Sequence, residues 1–227
     1  MAWMLSTVIP AHREEKRIGT PLRKLDVYLL KRKIRHEIIV VTDGEDATAS
    51  VAKKACPEVI VFTSLKRQGK GAAINQGLRL SRGDTLCVYD ADGATPPKEI
   101  RRALHALESA DVVIGVRKAG QRPWYRRIVS MCFHTITRYL FGLPFTDTQC
   151  GFKVFRADKT RPILKKMISD GLQWDVEFLW RCGKKGLRVR EFTVRWKSVP
   201  GGPLESDKIR NVLTLLWDVL TLRLKKI

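Results

Sequence analysis

Two carboxylates one residue apart give the chain its clearest chemical signal. Asp90 and Asp92 directly follow an apolar run, residues 85–89, that predicts a buried strand. Side chains at such a strand end can both reach one hard cation, and Mg2+ and Mn2+ prefer oxygen ligands. Gly93 and the pair Pro96-Pro97 predict an irregular loop open to a ligand. The pattern favours a Mg2+ or Mn2+ site over the alternative, a solvated acidic turn.

Three further carboxylates follow the first two predicted strands. Glu14 and Glu15 come after the first strand and Asp43 after the second. They could face the same crevice as Asp90 and Asp92 and accept hydrogen bonds from a base or a ribose. Each of them, taken singly, also fits a solvated loop carboxylate.

A basic turn flanked by glycines opens the third predicted helix. Gly69-Lys70-Gly71 suggests a phosphate loop, because helix N-termini bind anions. The nucleotide-triphosphate pattern, however, requires glycine where Ser64 stands and a hydroxyl where Gly71 stands. The dinucleotide pattern requires glycine where Ile74 stands, so neither pattern is matched. Two alternatives remain: a basic turn near a substrate phosphate, or glycines that serve only helix entry.

Asp175 and Glu177 lie two residues apart beside Trp174. On a helix such neighbours point about 200° apart, so only one of them could easily enter a site. Asp175 also fits the acid that commonly stands at a helix N-terminus. We assign neither residue a role from the sequence.

The elements that must position these residues alternate between strand and helix. The patterns predict strands at residues 3–9, 37–41, 59–63, 85–89, 112–116, 152–155 and 187–194. They predict helices at residues 18–33, 46–55, 71–81, 98–110, 127–141, 159–170 and 175–183. This alternation is typical of α/β proteins, in which ligands bind beyond the carboxyl ends of parallel strands. The looser pattern after Asp92 indicates a second lobe.

The composition indicates a globular protein with a strongly basic surface. Its 227 residues suit one domain, and 43 Lys and Arg against 23 Asp and Glu give a net charge of +20. Such a surface attracts polyanions: nucleic acid, anionic lipid or phosphorylated substrates. The sequence contains neither an RRM signature nor a zinc-finger pattern, so nucleic-acid binding is not predicted.

The cysteines and residues 1–10 indicate in which cellular compartment the protein works. Five cysteines without a C-x-x-C pair suggest neither a disulfide framework nor a zinc ribbon. The apolar stretch of residues 1–10 is too short for a membrane span and wrongly flanked for a signal peptide. We therefore expect a catalytic body in the cytoplasm. Nothing indicates an oligomeric state.

The order and spacing of five motifs resemble a known enzyme family. They are Pro10-Ala11 with Glu14 or Glu15, Val41-Thr42-Asp43-Gly44, Gly69-Lys70-Gly71-Ala72, Tyr89-Asp90-Ala91-Asp92-Gly93-Ala94-Thr95-Pro96-Pro97 and Asp147-Thr148-Gln149-Cys150-Gly151-Phe152-Lys153. The first four resemble the family 2 glycosyltransferases of GT-A fold. The fifth, together with residues 174–179, resembles more narrowly the dolichyl-phosphate β-glucosyltransferases, so the likeness covers nearly the whole chain.

The resemblance implies a single Rossmann-like α/β domain over residues 1–227, with a mainly parallel sheet between helices. Residues 1–117 would form the nucleotide-sugar half and residues 118–227 an acceptor-side lobe. Glucose would pass from UDP-glucose to dolichyl or polyprenyl phosphate with inversion, giving a β-linked lipid-phosphate sugar. Alternatives within the superfamily are GDP-mannose as donor or a soluble glycan as acceptor.

The resemblance also implies roles for single residues on the donor side. Pro10, Ala11, Glu14 and Asp43 would lie around the nucleobase, Lys70 near the donor, and Asp90, Ala91 and Asp92 at the diphosphate, with both aspartates on the metal. Dolichyl-phosphate mannose synthases have glutamine where Ala94 stands here. This difference favours the glucosyl branch and leaves the metal one protein ligand fewer.

For the acceptor phosphate we predict basic ligands near the fifth predicted strand. Arg117 follows that strand, and Arg122, Arg126 and Arg127 precede an apolar helix, where a lipid phosphate could keep its tail in a membrane. Gln149 and Lys153 join them through the fifth motif. A phosphate monoester is already anionic at neutral pH, so no general base is assigned. These arginines could instead coat a solvated linker.

The C-terminal segment has helical spacing of apolar residues between basic ends. The apolar positions are Ile209, Val212, Leu213, Leu216, Trp217, Leu220 and Leu224, and the basic ones Arg210, Arg223, Lys225 and Lys226. One interpretation is peripheral attachment to an anionic membrane surface, on its cytoplasmic face. The other is an ordinary amphipathic helix packed on the core.

Overall fold

The computed structural model describes residues 3–44, 46–117, 124–199 and 208–225. Its strands are β1 (Leu5–Ala11), β2 (His36–Asp43), β3 (Ile60–Ser64), β4 (Thr85–Val88), β5 (Val112–Arg117), β6 (Lys153–Arg156) and β7 (Val189–Val194). Its α-helices are α1 (Gly19–Lys31), α2 (Thr48–Ala55), α3 (Lys70–Leu80), α4 (Lys98–Ala106), α5 (Trp124–Phe141), α6 (Ala157–Leu164), α7 (Trp174–Lys184) and α8 (Lys208–Leu224).

The seven strands form one sheet in the order β3-β2-β1-β4-β6-β5-β7. Neighbouring strands pair in parallel except at β6, which is antiparallel to both β4 and β5. Both predicted halves of the chain therefore supply strands to a single sheet. The α/β class with a mainly parallel sheet, predicted from the alternation of patterns, is confirmed.

Helices cover both faces of this sheet. One face packs against α1, α2 and α4 through side chains such as Leu25, Ala52 and Ile100. The other packs against α3, α5, α6, α7 and α8, with Phe178 and Val219 among the buried residues. Because side chains on both faces are buried, the central strands are nearly continuous apolar runs, which is why their sequence pattern is so clear.

The strand directions bring the functional motifs to one edge of the sheet. Parallel strands present their carboxyl ends together, so the ends of β1, β2, β4 and β5 meet there. The reversed strand β6 presents its first residue, Lys153, at that same edge. Residues from five strands thus line one crevice.

Two helices end four or more residues earlier than their sequence patterns predict. The predicted helix 98–110 stops at Ala106 and continues only as a 3₁₀ turn, Leu107–Ser109. The predicted helix 159–170 becomes α6, which ends at Leu164. In the second case Glu177 accepts hydrogen bonds from the backbone N–H groups of Ile168 and Ser169, at 3.1 and 2.8 Å, in place of helical carbonyls.

Within the described ranges no helix is both long enough and apolar enough to cross a bilayer.

Candidate active site

The predicted metal-binding motif, Asp90-Ala91-Asp92, lies in the loop that follows β4. Tyr89 is buried and donates a hydrogen bond to the carbonyl of Thr95, which closes the loop on itself. The backbone N–H of Ala94 donates to Asp92 Oδ1 at 2.9 Å. Gly93 has a φ of +70°, and a Cβ atom there would lie 2.7 Å from Pro21 Cγ. Glycine therefore allows the loop to fold tightly and present both carboxylates.

Lys70 and Asp90 form an ion pair at the centre of the crevice. Lys70 Nζ, at the first residue of α3, lies 2.9 Å from Asp90 Oδ1. Burial by itself would raise the pKa of Asp90, but Lys70, Arg117 and Lys153 together hold it below its ordinary value. Burial would lower the pKa of Lys70, and Asp90 and Asp175 raise it instead. Both groups are therefore charged at neutral pH.

The pKa values of Asp92 and Glu14 are raised, in contrast to the lowered pKa of Asp90. Burial and the neighbouring charge of Asp90 raise the pKa of Asp92 above its ordinary value. Burial also raises the pKa of Glu14, although Arg17 opposes this with its hydrogen bond and its charge. Excess negative charge therefore accumulates beside Asp92, where a divalent cation would relieve it.

The donor-side residues follow β1 and β2. Asp43 Oδ2 accepts backbone hydrogen bonds from Gln68 and Gly69, at 2.9 and 3.1 Å, and Asp43 Oδ1 lies 2.9 Å from His12 Nδ1. Glu14 binds Arg17 through both carboxylate oxygens. Pro10 and Ala11 end β1 beside these groups. The structure thus places the four predicted nucleobase residues at one corner of the crevice.

The glycines at the start of α3 have a packing role. A Cβ atom on Gly69 would lie 2.5 Å from the carbonyl oxygen of Asp170, and one on Gly71 would lie 2.8 Å from that of Gly171. The backbone N–H of Ala72 donates to the Asp170 carbonyl at 3.0 Å. The chain itself therefore caps part of this helix N-terminus, and Lys70 is left as the phosphate-binding candidate of the motif.

Arg117 ends β5 on the opposite side of Asp90. Its Nε and Nη2 atoms donate to the two oxygens of Asp147 at 2.7 and 2.6 Å. Its guanidinium also lies over the Trp196 ring, 5.7 Å from the centroid. Gln149, from the same motif as Asp147, is half-buried and donates to the Leu172 carbonyl at 3.3 Å.

Lys153 and Asp175 form a buried pair beneath Asp90. Lys153 is 0% exposed, and its Nζ atom contacts Asp175 Oδ1 at 2.5 Å and the carbonyls of Cys150 and Thr148 at 2.6 and 3.2 Å. Protein oxygens therefore enclose its ammonium group, which fits positioning better than the predicted direct contact with the acceptor. Of the two acids on α7, Asp175 faces the site.

Glu177 faces the loop before α7 instead. It binds the backbone of that loop and pairs with Arg181 at 2.7 Å. The sequence prediction that only one of these acids would enter the site agrees with this geometry.

Of the remaining predicted acceptor residues, Arg122 lies outside the described residues. The side chains of Arg126 and Arg127, on α5, also lie outside what the structure describes. Arg117 and Gln149 are thus the predicted acceptor ligands whose side chains the structure describes at the open crevice.

The described residues contain no group of three or more His, Cys, Asp or Glu side chains arranged to hold a metal ion. Asp90 and Asp92 nevertheless fit a Mg2+ or Mn2+ ion that takes the rest of its ligands from a diphosphate and water, as Mg2+ commonly does with substrate phosphates. The unfavourable charge on Asp92 supports this fit.

Sequence reasoning assigned no role to Asp147, His12 or Gly151. Asp147 pairs with Arg117, 30 residues away in the sequence, and no local pattern predicts such a contact. His12 directly follows the Pro10-Ala11 motif, a position that could have identified it. A Cβ atom on Gly151 would lie 2.1 Å from Asp90 Oδ2.

The chain is similar in sequence to known proteins. The sequence model of "Glycosyl transferase family 2" matches residues 6–164. The dolichyl-phosphate beta-glucosyltransferase of Homo sapiens is 31% identical over 224 residues, which cover 88% of this chain and 69% of that protein. The protein of the same name from Dictyostelium discoideum is 28% identical over 97% of this chain and 74% of its own length.

Solved structures agree on the fold. The glucosyl-3-phosphoglycerate synthase of Mycobacterium tuberculosis, in complex with Mn2+, UDP-glucose and phosphoglyceric acid, superposes with a TM-score of 0.76 at 17% identity, covering 97% of this chain and 80% of that one. The predicted GT-A architecture is thereby confirmed. Since the family model spans well over half of the chain and the human relative matches most of it, the protein is a glycosyltransferase and belongs to glycosyl transferase family 2.

Proposed function

We propose that the protein transfers glucose from UDP-glucose to dolichyl or polyprenyl phosphate, with inversion at the anomeric carbon. The observation that carries this proposal is the crevice itself. Two carboxylates suited to a metal diphosphate stand between Lys70 and Arg117 at the strand ends. Relatives named dolichyl-phosphate beta-glucosyltransferase, about 30% identical over most of the chain, support the choice of sugar and lipid.

On the donor side, Pro10, Ala11, Glu14 and Asp43 hold the nucleobase and ribose. Asp43 is held in place by two backbone N–H groups, so its free electron pairs have a fixed direction. Lys70 lies within reach of a diphosphate bound at Asp90 and can exchange its carboxylate partner for a phosphate oxygen. Ala91, between the two aspartates, is small and buried, which leaves room for the diphosphate.

Asp90 and Asp92 hold Mg2+ or Mn2+ in this proposal. The bound cation supplies charge neutralisation to the departing nucleoside diphosphate. Solved structures of the M. tuberculosis synthase contain Mn2+ with UDP-glucose, or Mg2+ with UDP, which supports the same use of metal here.

On the acceptor side, the nucleophile is a phosphate oxygen that needs little activation. A phosphate monoester has a second pKa near 6 and is anionic at neutral pH, so no carboxylate base is required. Asp175 is bound to Lys153 and is not available as a base. The residues that act are cations: Arg117, with Arg126 and Arg127 from α5, bind and orient the phosphate, and Gln149 contributes a polar contact.

Helix α8 supports membrane attachment in this proposal. Its inward face packs on the core through Val219 and Leu222. Its outward face exposes Trp217, Leu220 and Leu224, spaced by three and four residues, to 68%, 45% and 82%. The inward face thus fits the interpretation of a helix packed on the core, and the outward face fits the interpretation of membrane attachment. The outward face suits a peripheral contact with the cytoplasmic side of an anionic membrane.

One assay tests donor and acceptor together. The purified protein is incubated with Mn2+, a short polyprenyl phosphate and, in separate reactions, UDP-glucose, UDP-galactose, UDP-N-acetylglucosamine or GDP-mannose. We expect a mass gain of one hexose on the lipid with UDP-glucose, cleavable as a β-linked phosphate sugar. A lipid product from GDP-mannose alone would support the mannosyl alternative instead. A parallel set of reactions contains a soluble glycan in place of the lipid. Product on the glycan and none on the lipid would contradict the lipid acceptor.

A further inference from the structure

Gly151 touches the metal-binding carboxylate directly. A Cβ atom built on Gly151 would lie 2.1 Å from Asp90 Oδ2 and 2.2 Å from Oδ1. The φ of Gly151 is not in the left-handed region, so its backbone conformation does not require glycine. The missing side chain therefore serves the close approach of Asp90, whose carboxylate occupies the space of a Cβ atom.

Three hydrogen bonds fix the backbone around Gly151. The Phe152 carbonyl accepts a hydrogen bond from the Gly115 N–H at 3.0 Å, which ties the segment to β5. Lys153 Nζ binds the carbonyls of Cys150 and Thr148, on the other side of the glycine. Gly151 therefore presents a rigid surface to Asp90.

Lys153 itself depends on Asp175. A buried ammonium group is stable only when it is paired and fully hydrogen-bonded, and Asp175 supplies the countercharge at 2.5 Å. Asp175 stands in the first turn of α7, beside Trp174, whose Nε1 donates to Asn75 Oδ1 on α3 at 2.7 Å. The helix that carries Lys70 is thereby joined to the segment that carries Gly151.

Asp90 is thus held between two surfaces. Lys70 contacts Oδ1 on one side, and the Gly151 backbone limits the carboxylate on the other. An aspartate side chain without such contacts samples several rotamers, and a metal ligand must keep one.

We propose that Gly151 is a positioning residue for Asp90, and that the buried Lys153–Asp175 pair keeps it in place so that the carboxylate faces the metal diphosphate. This inference rests on the proposed function, because it concerns the metal role of Asp90. It assigns Asp175 an indirect task, acting through Lys153 and Gly151 without contact to the substrate.

The direct test is Gly151→Ala. The three atoms nearest to the new methyl group all belong to the carboxylate of Asp90, the end of a side chain, so we expect the carboxylate to rotate away while the fold persists. Isothermal calorimetry of UDP with Mn2+ and with EDTA measures the gain in affinity that the metal provides. We expect this gain to fall by about 10- to 100-fold, the usual effect of disturbing a group that orients a metal ligand. Affinity in EDTA and the melting temperature should stay those of the parent.

Gly183→Ala is the matched control. Gly183 lies in α7, and a Cβ atom there would meet nothing within 4 Å. This variant should keep the full metal-dependent gain.

A second variant removes the buried pair while keeping its charge balance, Lys153→Met with Asp175→Leu. Removal of both partners leaves no uncompensated buried charge. The proposal expects a folded protein that has lost part of the metal-dependent gain but keeps the affinity for UDP in EDTA.

The calorimetry distinguishes failure of the Gly151 proposal from failure of the proposed metal site. If the parent gains UDP affinity with Mn2+ and Gly151→Ala gains equally, the positioning role of Gly151 is wrong while the metal site stands. If the parent itself shows no gain, the proposed metal role of Asp90 is wrong, and the inference falls with it.

Discussion

Asp147 binds both donor ends of the Arg117 guanidinium and also accepts its backbone N–H, at 2.7, 2.6 and 3.1 Å. The carboxylate therefore fixes the plane of the guanidinium at the end of β5. The fork geometry that holds Asp147 is also the geometry that binds phosphate oxygens. The guanidinium has five N–H groups, and the side chain of Asp147 accepts hydrogen bonds from two of its nitrogens, Nε and Nη2. An arriving phosphate could bind to the N–H groups that remain, whose direction Asp147 sets, so Arg117 is a preoriented ligand.

Arg117→Lys should weaken use of the lipid phosphate. Lysine keeps the charge but loses the paired bonds. Because one charge-assisted hydrogen bond contributes about 1.5–3 kcal/mol, we expect kcat/KM for polyprenyl phosphate to fall roughly 10- to 100-fold. Arg127→Lys should act in the same direction, and UDP-glucose affinity should stay nearly unchanged in both. The control is Arg138→Lys, an exposed arginine on α5. Acceptor kinetics in detergent equal to the parent for both variants would refute the acceptor assignment.

Asp90→Asn and Asp92→Asn should each abolish transfer and leave the fold intact. In the proposed site these carboxylates bind a metal, and asparagine keeps the shape of aspartate, so circular dichroism should match the parent. We expect losses of roughly 10²- to 10³-fold or more, the scale of removing one preorganised electrostatic partner. EDTA should mimic both variants, and added Mn2+ or Mg2+ should restore the parent alone. Undiminished turnover in EDTA would overturn the metal assignment.

The raised pKa of Asp92 predicts a pH-dependent stability effect. Its ordinary value is 3.8, and burial and Asp90 raise it in the folded protein. The folded state therefore holds this proton more tightly than the unfolded state. The stability that it contributes is fully present below pH 3.8 and is lost as the pH rises through the folded-state pKa.

Asp92→Asn should consequently raise the melting temperature at pH 7.5 in EDTA. The expected rise is roughly 2–4 °C, if the repulsion amounts to about 1 kcal/mol. The difference should vanish near the ordinary pKa of the carboxyl group, and Mn2+ should stabilise the parent more than the variant. Glu58→Gln, at an exposed carboxylate, is the control. A variant that melts below the parent at pH 7.5 would show that Asp92 is not under electrostatic strain.

The protein should bind UDP in preference to GDP. This expectation rests on Gly93-Ala94-Thr95 and on the motif at residues 147–153, which resemble the glucosyl branch. Calorimetry with Mn2+ compares the two nucleotides directly, with UMP and GMP as controls for the diphosphate contribution. Tighter binding of GDP would favour the mannosyl alternative.

Substitutions of different leucines on α8 distinguish a role of this helix in membrane contact from a role in packing. Leu222 is 3% exposed, whereas Leu224 and Leu220 lie on the outer face. Leu222→Ala should destabilise the protein by about 2–5 kcal/mol, as buried leucines do. The double variant Leu220→Ala, Leu224→Ala should keep its stability but float less with anionic liposomes. Leu30→Ala, an exposed leucine on α1, is the control. Equal flotation of double variant and parent would contradict the membrane role of α8.

The sequence predicted the central strands of the sheet well because they are buried on both faces. Residues 38–41 are all apolar, and such a run leaves little choice of structure. One of the two helix ends that differ, that of α6, depends on a residue outside the helix. The helical pattern continues past Leu164, but Glu177 binds the backbone of Ile168 and Ser169 from another element. A local pattern contains no information about such a competitor.

The candidate site, too, has a part that local patterns predict and a part that depends on contacts between distant residues. Asp90, Asp92 and Lys70 could be found because strand ends and helix starts have local signals. The contacts of Arg117 with Asp147 and of Lys153 with Asp175 depend on strand order and on the reversed direction of β6. The sequence therefore identified Lys153 as important and could not tell that its ammonium is enclosed.

The reversed direction of β6 bears on how acceptor preference can diverge among proteins with this fold. After a parallel strand the following segment meets the crevice, whereas at β6 the preceding segment does so, and the chain then continues into α6 at Ala157. If this region has the proposed acceptor role, exchanges of residues 142–150 between relatives should alter the acceptor side and leave the strand pairing of β6 and the donor loops in place. Chimeras exchanged at this single segment therefore test whether it sets the acceptor preference.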